Sequence, residues 1–303
     1  MTTIKTTKES RFKLKHIPSL IKTTAINWTK DDPWRLSAVV AYFALLSLPG
    51  LLVIVFSILN FFWDGEIVEG EIYGQIESAL GTSAADTINS IFKKASETQT
   101  SWLPALIGIG GLVFGATGVF YHLQISINRI WNLKSEPKNG FVKYLIDRTK
   151  SFGFVLVIGF LLLISFVVSA LLNFLEGYIA RWFPDVAFHL LAIGEIVFSL
   201  GVVSVLFALI FKYLPDVLIG WRSVWIGAFI TAILFSLGKE LLTFYFGFSS
   251  PDNVYGAAGS VIIILLWVTY SCLILFFGAE FTKVFTQRYG YKMIPKSHAK
   301  FTD

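Results

Sequence analysis

Long apolar runs separated by short polar stretches set the rhythm of this 303-residue chain. Five runs, roughly 36–62, 102–123, 151–175, 186–211 and 254–279, have the length and low charge of membrane-crossing helices. A sixth, 222–247, is interrupted only by Lys239 and Glu240 near one end. Backbone groups in lipid must find their hydrogen bonds within the segment, so each run predicts regular helix. The expected fold is therefore all-α: one bundle of six transmembrane helices over 36–280. A basic segment, 1–35, precedes it and a basic tail, 281–303, follows.

The stretches between the runs carry a weaker, amphipathic pattern. Ile17, Leu20, Ile21, Ala25 and Trp28 recur at helical spacing, with Lys13, Lys15, Lys22 and Lys30 close by. This predicts a basic helix lying on the inner leaflet. Anionic lipid would attract it by about 1 kcal/mol per basic residue. Asp31-Asp32-Pro33 then breaks the chain and opens the first span, proline being suited to a first helical turn. In 64–101, Ile72, Ile76 and Leu80 share one face, and Ile88, Ile91, Phe92 and Ala95 another. Two short external helices are expected, either capping a cavity or simply connecting spans. Phe141, Tyr144 and Leu145, with Lys143 and Arg148, suggest a further helix on the inner surface.

Composition supports the membrane reading: 55% of residues are hydrophobic, 15% are charged, and mean hydropathy is +0.68. Charge placement adds an orientation. Lys and Arg number eight in 1–35, six in 129–150, two in 212–222 and five from 281 onward. The opposite side holds only Lys93, Lys94 and Arg181, with Lys239 near it. Basic loops stay inside, so both termini are expected in the cytoplasm. The acid-rich segment 64–101 is then external. The first 35 residues are too polar and basic for a cleavable signal peptide. Trp34, Trp63, Trp102, Trp131, Trp182, Trp221 and Trp225 fall near span ends, where indole rings anchor at headgroup level. Trp267 sits mid-span. The single cysteine, Cys272, excludes an internal disulfide.

Candidate chemistry lies on polar positions inside the apolar runs. Gly111, Gly115 and Gly118 form a small-residue face that admits a second helix closely. Thr117, Tyr121, Gln124 and Asn128 then follow at helical spacing and deepen towards the inner end at Arg129. Such a face lines an inner vestibule or ties helices together; both readings stay open. Ser260, Trp267, Ser271 and Gly278 form a matching face in the last span, closed by Glu280. A pair between Arg129 and Glu280 is expected from their common depth. Glu195 falls about 15 Å into its span, counted at about 1.5 Å per residue, so it needs a partner or a proton. Lys239 and Glu240 lie further out. Pro49, followed by Gly50, removes a helical hydrogen bond and predicts a kink, which is either a hinge or a static bend.

Other chemistry has no visible ligand set. The four histidines, His16, His122, His189 and His298, have no metal-binding spacing, and no CxxC occurs. A phosphate-binding GxxxxGK[ST] loop is absent, so no ATP-driven step is expected. Gly108-Ile109-Gly110-Gly111 lies within a span and reads as packing. The basic residues have no aromatic-interleaved nucleic-acid motif. No enzyme activity, cofactor, metal or nucleic-acid partner is expected.

Several residues occur together in a familiar order. Ala41-Tyr42 with Leu45 to Pro49 comes first, then Asn128-Arg129-Ile130-Trp131, then Pro215 with Trp221-Arg222 and Gly227-Ala228. Gly238-Lys239 with Tyr245, Tyr255-Gly256, Leu266-Trp267 with Tyr270, and Gly278-Ala279-Glu280 complete the set. Over about 25–290 the chain resembles the YihY/BrkB family of bacterial inner-membrane proteins. The resemblance implies six spans and an inner-membrane location. Family members have carried a ribonuclease label, which the missing metal ligands argue against here. The family's association with envelope resistance suggests handling of amphiphiles.

The expected function is an inner-membrane transporter or flippase-like exporter of an amphipathic, anionic, lipid-like envelope component. Gln124, Asn128, Arg129, Glu195, Lys239, Glu240, Trp267, Ser271 and Glu280 are its candidate substrate-binding residues, and Pro49 and Gly50 its hinge. Expected partners are membrane lipids, with anionic headgroups at the cytoplasmic face; a homo-oligomer stays open. The alternative is a non-transporting scaffold for envelope machinery, and a membrane-bound hydrolase ranks last.

Overall fold

The computed structural model describes residues 14–62, 102–136, 184–249, 257–289 and 292–302, with the single positions Tyr73 and Asn89. Helix dominates: α1 (Ile17–Lys30), α2 (Pro33–Phe62), α3 (Trp102–Ile130), α4 (Pro184–Tyr213), α5 (Trp221–Ser249) and α6 (Ala257–Arg288). Three of these hold stretches long and apolar enough to cross a membrane, Ile196–Tyr213, Trp221–Leu242 and Val261–Arg288; Pro33–Ser47 is a shorter apolar helix. The expected span at 151–175, the inner surface helix near 141–148 and, apart from the two single positions, the external segment 64–101 lie outside the described residues. Helix α2 continues through Pro49 and Gly50.

Two features differ from the sequence reading. The last helix does not stop near 280 but continues to Arg288. The tail beyond it is folded into two short strands, β3 (Met293–Pro295) and β4 (Ala299–Phe301). Strand β4 pairs antiparallel with β1 (Leu133–Ser135), which follows α3; Lys134 stands opposite Lys300. Strand β3 pairs antiparallel with β2 (Val217–Ile219), in the turn between α4 and α5. Three-residue strands show no alternation of their own, and only distant partners make them strands.

The chain divides into two compact units. Met1–Asp31, Ile127–Ser236 and Leu275–Asp303 form the first; Asp32–Ser126 and Leu237–Ile274 form the second.

In the first unit, α1 runs antiparallel to the last turns of α6. His16 Nδ1 lies 2.9 Å from the Tyr289 hydroxyl, and Arg288 donates to Ser19 Oγ at 2.6 Å. Leu20 is fully buried among Phe281, Val284 and Phe285. The Trp28 ring meets Phe277 edge-on. The amphipathic helix therefore forms, but its Leu20 stripe packs on protein rather than on lipid, while Ile21 and Ile26 stay exposed. Burying one leucine side chain is worth about 1.5–3 kcal/mol, so this contact fixes α1. Helices α5 and α6 meet through two reciprocal notches. A Cβ on Gly227 would overlap Thr282, and one on Gly278 would overlap Thr231. Both threonine hydroxyls are turned back onto their own helix, Thr231 to Gly227 O at 2.7 Å and Thr282 to Gly278 O at 2.8 Å.

In the second unit, Gly115 of α3 packs against α2 so closely that a Cβ would lie 2.6 Å from the Ser47 backbone nitrogen. Gly118 receives the Phe43 ring, and Gly238 receives Tyr270. The packing role read from Gly115 and Gly118 holds. A Cβ on Gly110 would meet nothing within 4 Å among the described residues.

Candidate functional site

The inner end of α3 shows how the first unit is closed. Ile127, Asn128, Ile130 and Trp131 are buried, whereas Arg129 is exposed. The helix stops at Asn132, which takes a left-handed conformation (φ 55°), a state asparagine tolerates better than most residues. A helix end leaves carbonyls without intrahelical donors. Here Asn132 N–H bonds Arg129 O at 3.0 Å, and the Lys283 ammonium bonds Ile130 O at 2.6 Å. A cation there also complements the negative end of the helix dipole. Trp131 donates its indole N–H to Ala279 O at 2.9 Å and is 1% exposed. The headgroup anchor expected from sequence is thus a buried tie between α3 and α6. Trp34, Trp221 and Trp225 do remain exposed.

Asn128 and Asp216 form a reciprocal pair. Asn128 Nδ2 donates to Asp216 Oδ2 at 3.0 Å, and Asp216 N–H donates to Asn128 Oδ1 at 2.8 Å. His298 Nε2 lies 3.0 Å from the other carboxylate oxygen. Lys296 N–H bonds Asp216 O at 3.0 Å, and its ammonium bonds Pro215 O at 2.7 Å. Asp216 is wholly buried. One carboxylate thus holds α3, the α4–β2 turn and the tail together. Lys212 adds a bond to Ile219 O at 2.5 Å and sits over the Trp221 ring.

A second buried polar group lies where α1 meets α6. Glu280 is fully buried and pairs with Lys283 at 3.2 Å; the lysine side chain is 8% exposed. The Asn27 amide of α1 approaches the same carboxylate, and Asp31 adds a second acid nearby. Asp31 itself is half-buried. Desolvation raises its carboxyl above the usual range, opposed by the charges of Lys283 and Arg129. Among the described residues, Glu280 Oε1, Thr24 Oγ1 and Trp28 Nε1 are buried without a hydrogen-bond partner. Among the described residues, no group of three or more His, Cys, Asp or Glu side chains is placed to hold a metal ion.

The model of the family described as Virulence factor BrkB matches residues 25–301. The chain belongs to the BrkB family. Among curated relatives it is similar to the UPF0761 membrane protein of Alteromonas mediterranea, 27% identical over 258 residues, covering 84% of this chain and 83% of the relative. It is also similar to that of Pseudoalteromonas atlantica, 28% identical over 250 residues (80% and 78%), and that of Haemophilus influenzae, 26% identical over 249 residues (81% and 87%). No solved structure matches. The apolar helices and these relatives make this BrkB-family chain a membrane protein.

The residues expected to bind substrate fall in both units of the BrkB-family chain. In the first, Asn128 is buried in its Asp216 pair, Glu280 is buried against Lys283, and Arg129 is exposed. The ion-pair partner of Glu280 is therefore Lys283, and the Arg129 charge bears instead on Asp31. Glu195 lies within α4, but its side chain is outside the described residues. In the second unit, Gln124 is buried; Lys239 and Glu240 are exposed. Trp267 and Ser271 are half-buried, and the serine hydroxyl bonds Trp267 O at 2.8 Å. Sequence reasoning missed Asp216, Lys283, Lys296 and His298. The lysines had been read as topology markers. An acid directly after Leu214-Pro215, between apolar runs, was the available signal for Asp216.

Proposed function

We propose that the chain is an inner-membrane exporter of flippase type for an amphipathic, anionic envelope component, with six spans and cytoplasmic termini. It hydrolyses no nucleotide itself and draws on an ion gradient, on a partner or on the substrate's own gradient. The observation that carries this reading is the buried Glu280–Lys283 pair within α6, whose apolar stretch Val261–Arg288 is long enough to cross the bilayer. An ionisable group in a span costs about 2.5–3.5 kcal/mol on insertion scales and by default marks an ion or substrate path. Exposed Arg129, Arg222 and Lys300 in the first unit supply positive charge for an anionic headgroup.

A scaffold is the second reading. It is favoured by Asn128 and Asp216, whose polar atoms are spent on each other rather than left for a ligand. Reconstituted vesicles separate the two. The exporter moves a fluorescent anionic lysolipid between leaflets, and Arg129→Ala slows it several-fold. Vesicles that move neither lipid nor amphiphile, with or without a pH gradient, overturn transport and leave the scaffold.

A further inference from the structure

The α1–α6 seam contains a buried carboxylate with one oxygen left without a hydrogen bond. Contacts of His16 with Tyr289, Leu20 with Val284 and Phe285, and Trp28 with Phe277 fix an antiparallel register. That register sets Thr24 opposite residues 280–281, and Asn27 approaches the Glu280 carboxylate itself. Thr24 and Glu280 are both fully buried, and each has an oxygen with no hydrogen-bond partner. Lys283, the one cation in contact with Glu280 among the described residues, is shared with Ile130 O, its shorter bond. Asp31, at the end of α1, places a second negative charge near the carboxylate and itself faces Lys283 and Arg129.

We propose that Glu280 is a proton-binding site, and that the proton it carries is the coupling ion of the exporter. The coupling arm rests on the exporter reading; the binding arm does not. The chemistry follows from the partners. An ionised carboxylate in a buried seam is held by hydrogen bonds and opposite charge, and here one oxygen has no hydrogen bond. A proton taken from water forms an O–H bond at Oε1. The carboxyl becomes neutral, so the oxygen that lacks a hydrogen bond no longer carries charge. Lys283 keeps its bond to Ile130 O, so its own charge stays matched to the end of α3. Release reverses each step. Asp31, half-buried and one turn beyond Asn27, is a partly exposed acid near Glu280 and serves as the exchange group. Its carboxyl is raised by burial, which brings it nearer to neutral pH than an exposed aspartate and suits it to pass protons.

The test is infrared difference spectroscopy of the full chain in lipid nanodiscs, stepping from about pH 8 to about pH 5, which stays above the values at which ordinary carboxyls titrate. A protonated-carboxyl C=O band is expected to appear on acidification. It should disappear in Glu280→Gln, shift in Glu280→Asp, and persist in Asp31→Asn. A band unchanged by Glu280→Gln overturns the proposal and leaves Glu280 as a permanently ionised partner of Lys283. If Glu280→Gln does not fold, Glu280→Asp alone decides: a band in the same place in that variant overturns the assignment. In vesicles, Glu280→Gln should lose the acceleration given by an imposed pH gradient while keeping movement down the substrate's own gradient. Acceleration that survives in Glu280→Gln overturns the coupling arm. A Glu280 band in a chain that moves no substrate overturns the exporter and keeps the proton site.

Discussion

Asp216 is bonded at both carboxylate oxygens, at its N–H and at its carbonyl, with no exposed surface. Removing the carboxylate strands the Asn128 amide and leaves the His298 ring without its acceptor. A buried group deprived of its partner costs about 1–3 kcal/mol, and more when the lost partner was charged. Asp216→Ala should therefore lower stability by roughly 3 kcal/mol or more. Asn128→Ala should cost about 1–3 kcal/mol. His298→Ala should cost less, because its side chain is already 29% exposed. Thermal unfolding in detergent checks this order. The Asn128→Ala/Asp216→Ala double mutant should depart from additivity by at least about 0.5 kcal/mol. Two additive effects would mean the residues act separately. Sequence reasoning located Asn128 because helical spacing put it on a polar face, and tying elements together was one of its two open roles. Its partner lies 88 residues away, and nothing local to either residue encodes that pairing.

The α5–α6 crossing depends on two glycines, each facing a threonine of the other helix. With no hydrophobic drive between helices in lipid, close packing of small residues supplies the contact. Gly227→Ala and Gly278→Ala should each cost about 1–3 kcal/mol, the usual penalty for overpacking. Gly110→Ala, placed in open space, should be neutral or slightly stabilising. Equal effects at all three positions would show that helix propensity, not the crossing, sets the cost. The β1–β4 ribbon carries a different weakness. Lys134 and Lys300 stand opposite each other, a destabilising like-charge pair. Glu136 lies 3.3 Å from one ammonium and 3.1 Å from the other. Hydrogen bonds from Lys300 and Lys134 hold its carboxyl below the ordinary value of 4.5. A depressed acid contributes stability above its unfolded value and loses it as pH falls through the folded one. The ribbon should therefore loosen only below about pH 4.5. Faster amide exchange of Lys300–Thr302 at low pH checks this. Glu136→Gln should show that faster exchange at neutral pH, and the effect should be small because the group is exposed.

At the scale of the molecule, legibility followed the range of the cause. Long helices were legible because hydropathy over twenty residues is a local property, and α3, α5 and α6 begin within a few residues of where apolar runs place them. The first unit was not legible. It joins three separated stretches of chain, and its ties run from α3 to α6 through Trp131 and Lys283 and from the tail to the α4–β2 turn through Lys296 and His298. A lysine bound for a helix carbonyl looks, in sequence, like any lysine at a membrane boundary. The tail shows the consequence most clearly. Counted only as positive charge on the inner side, residues 292–303 could be deleted with little effect. In the structure they supply β3 and β4, the Lys296 bonds at the end of α4, the His298 contact to Asp216, and the Thr302 N–H bond to Asn132 O at 2.7 Å. Net hydrogen bonds of about 1 kcal/mol each, several lost at once, make the deletion comparable to Asp216→Ala. At about 2–4 °C per kcal/mol for a chain of this size class, the apparent Tm should fall by roughly 5–10 °C. Restoring only the charge, with a scrambled tail of the same composition, should not recover it. A scrambled tail that restores the full Tm would show that positive charge alone is what these residues contribute, and that the strands are incidental to the fold.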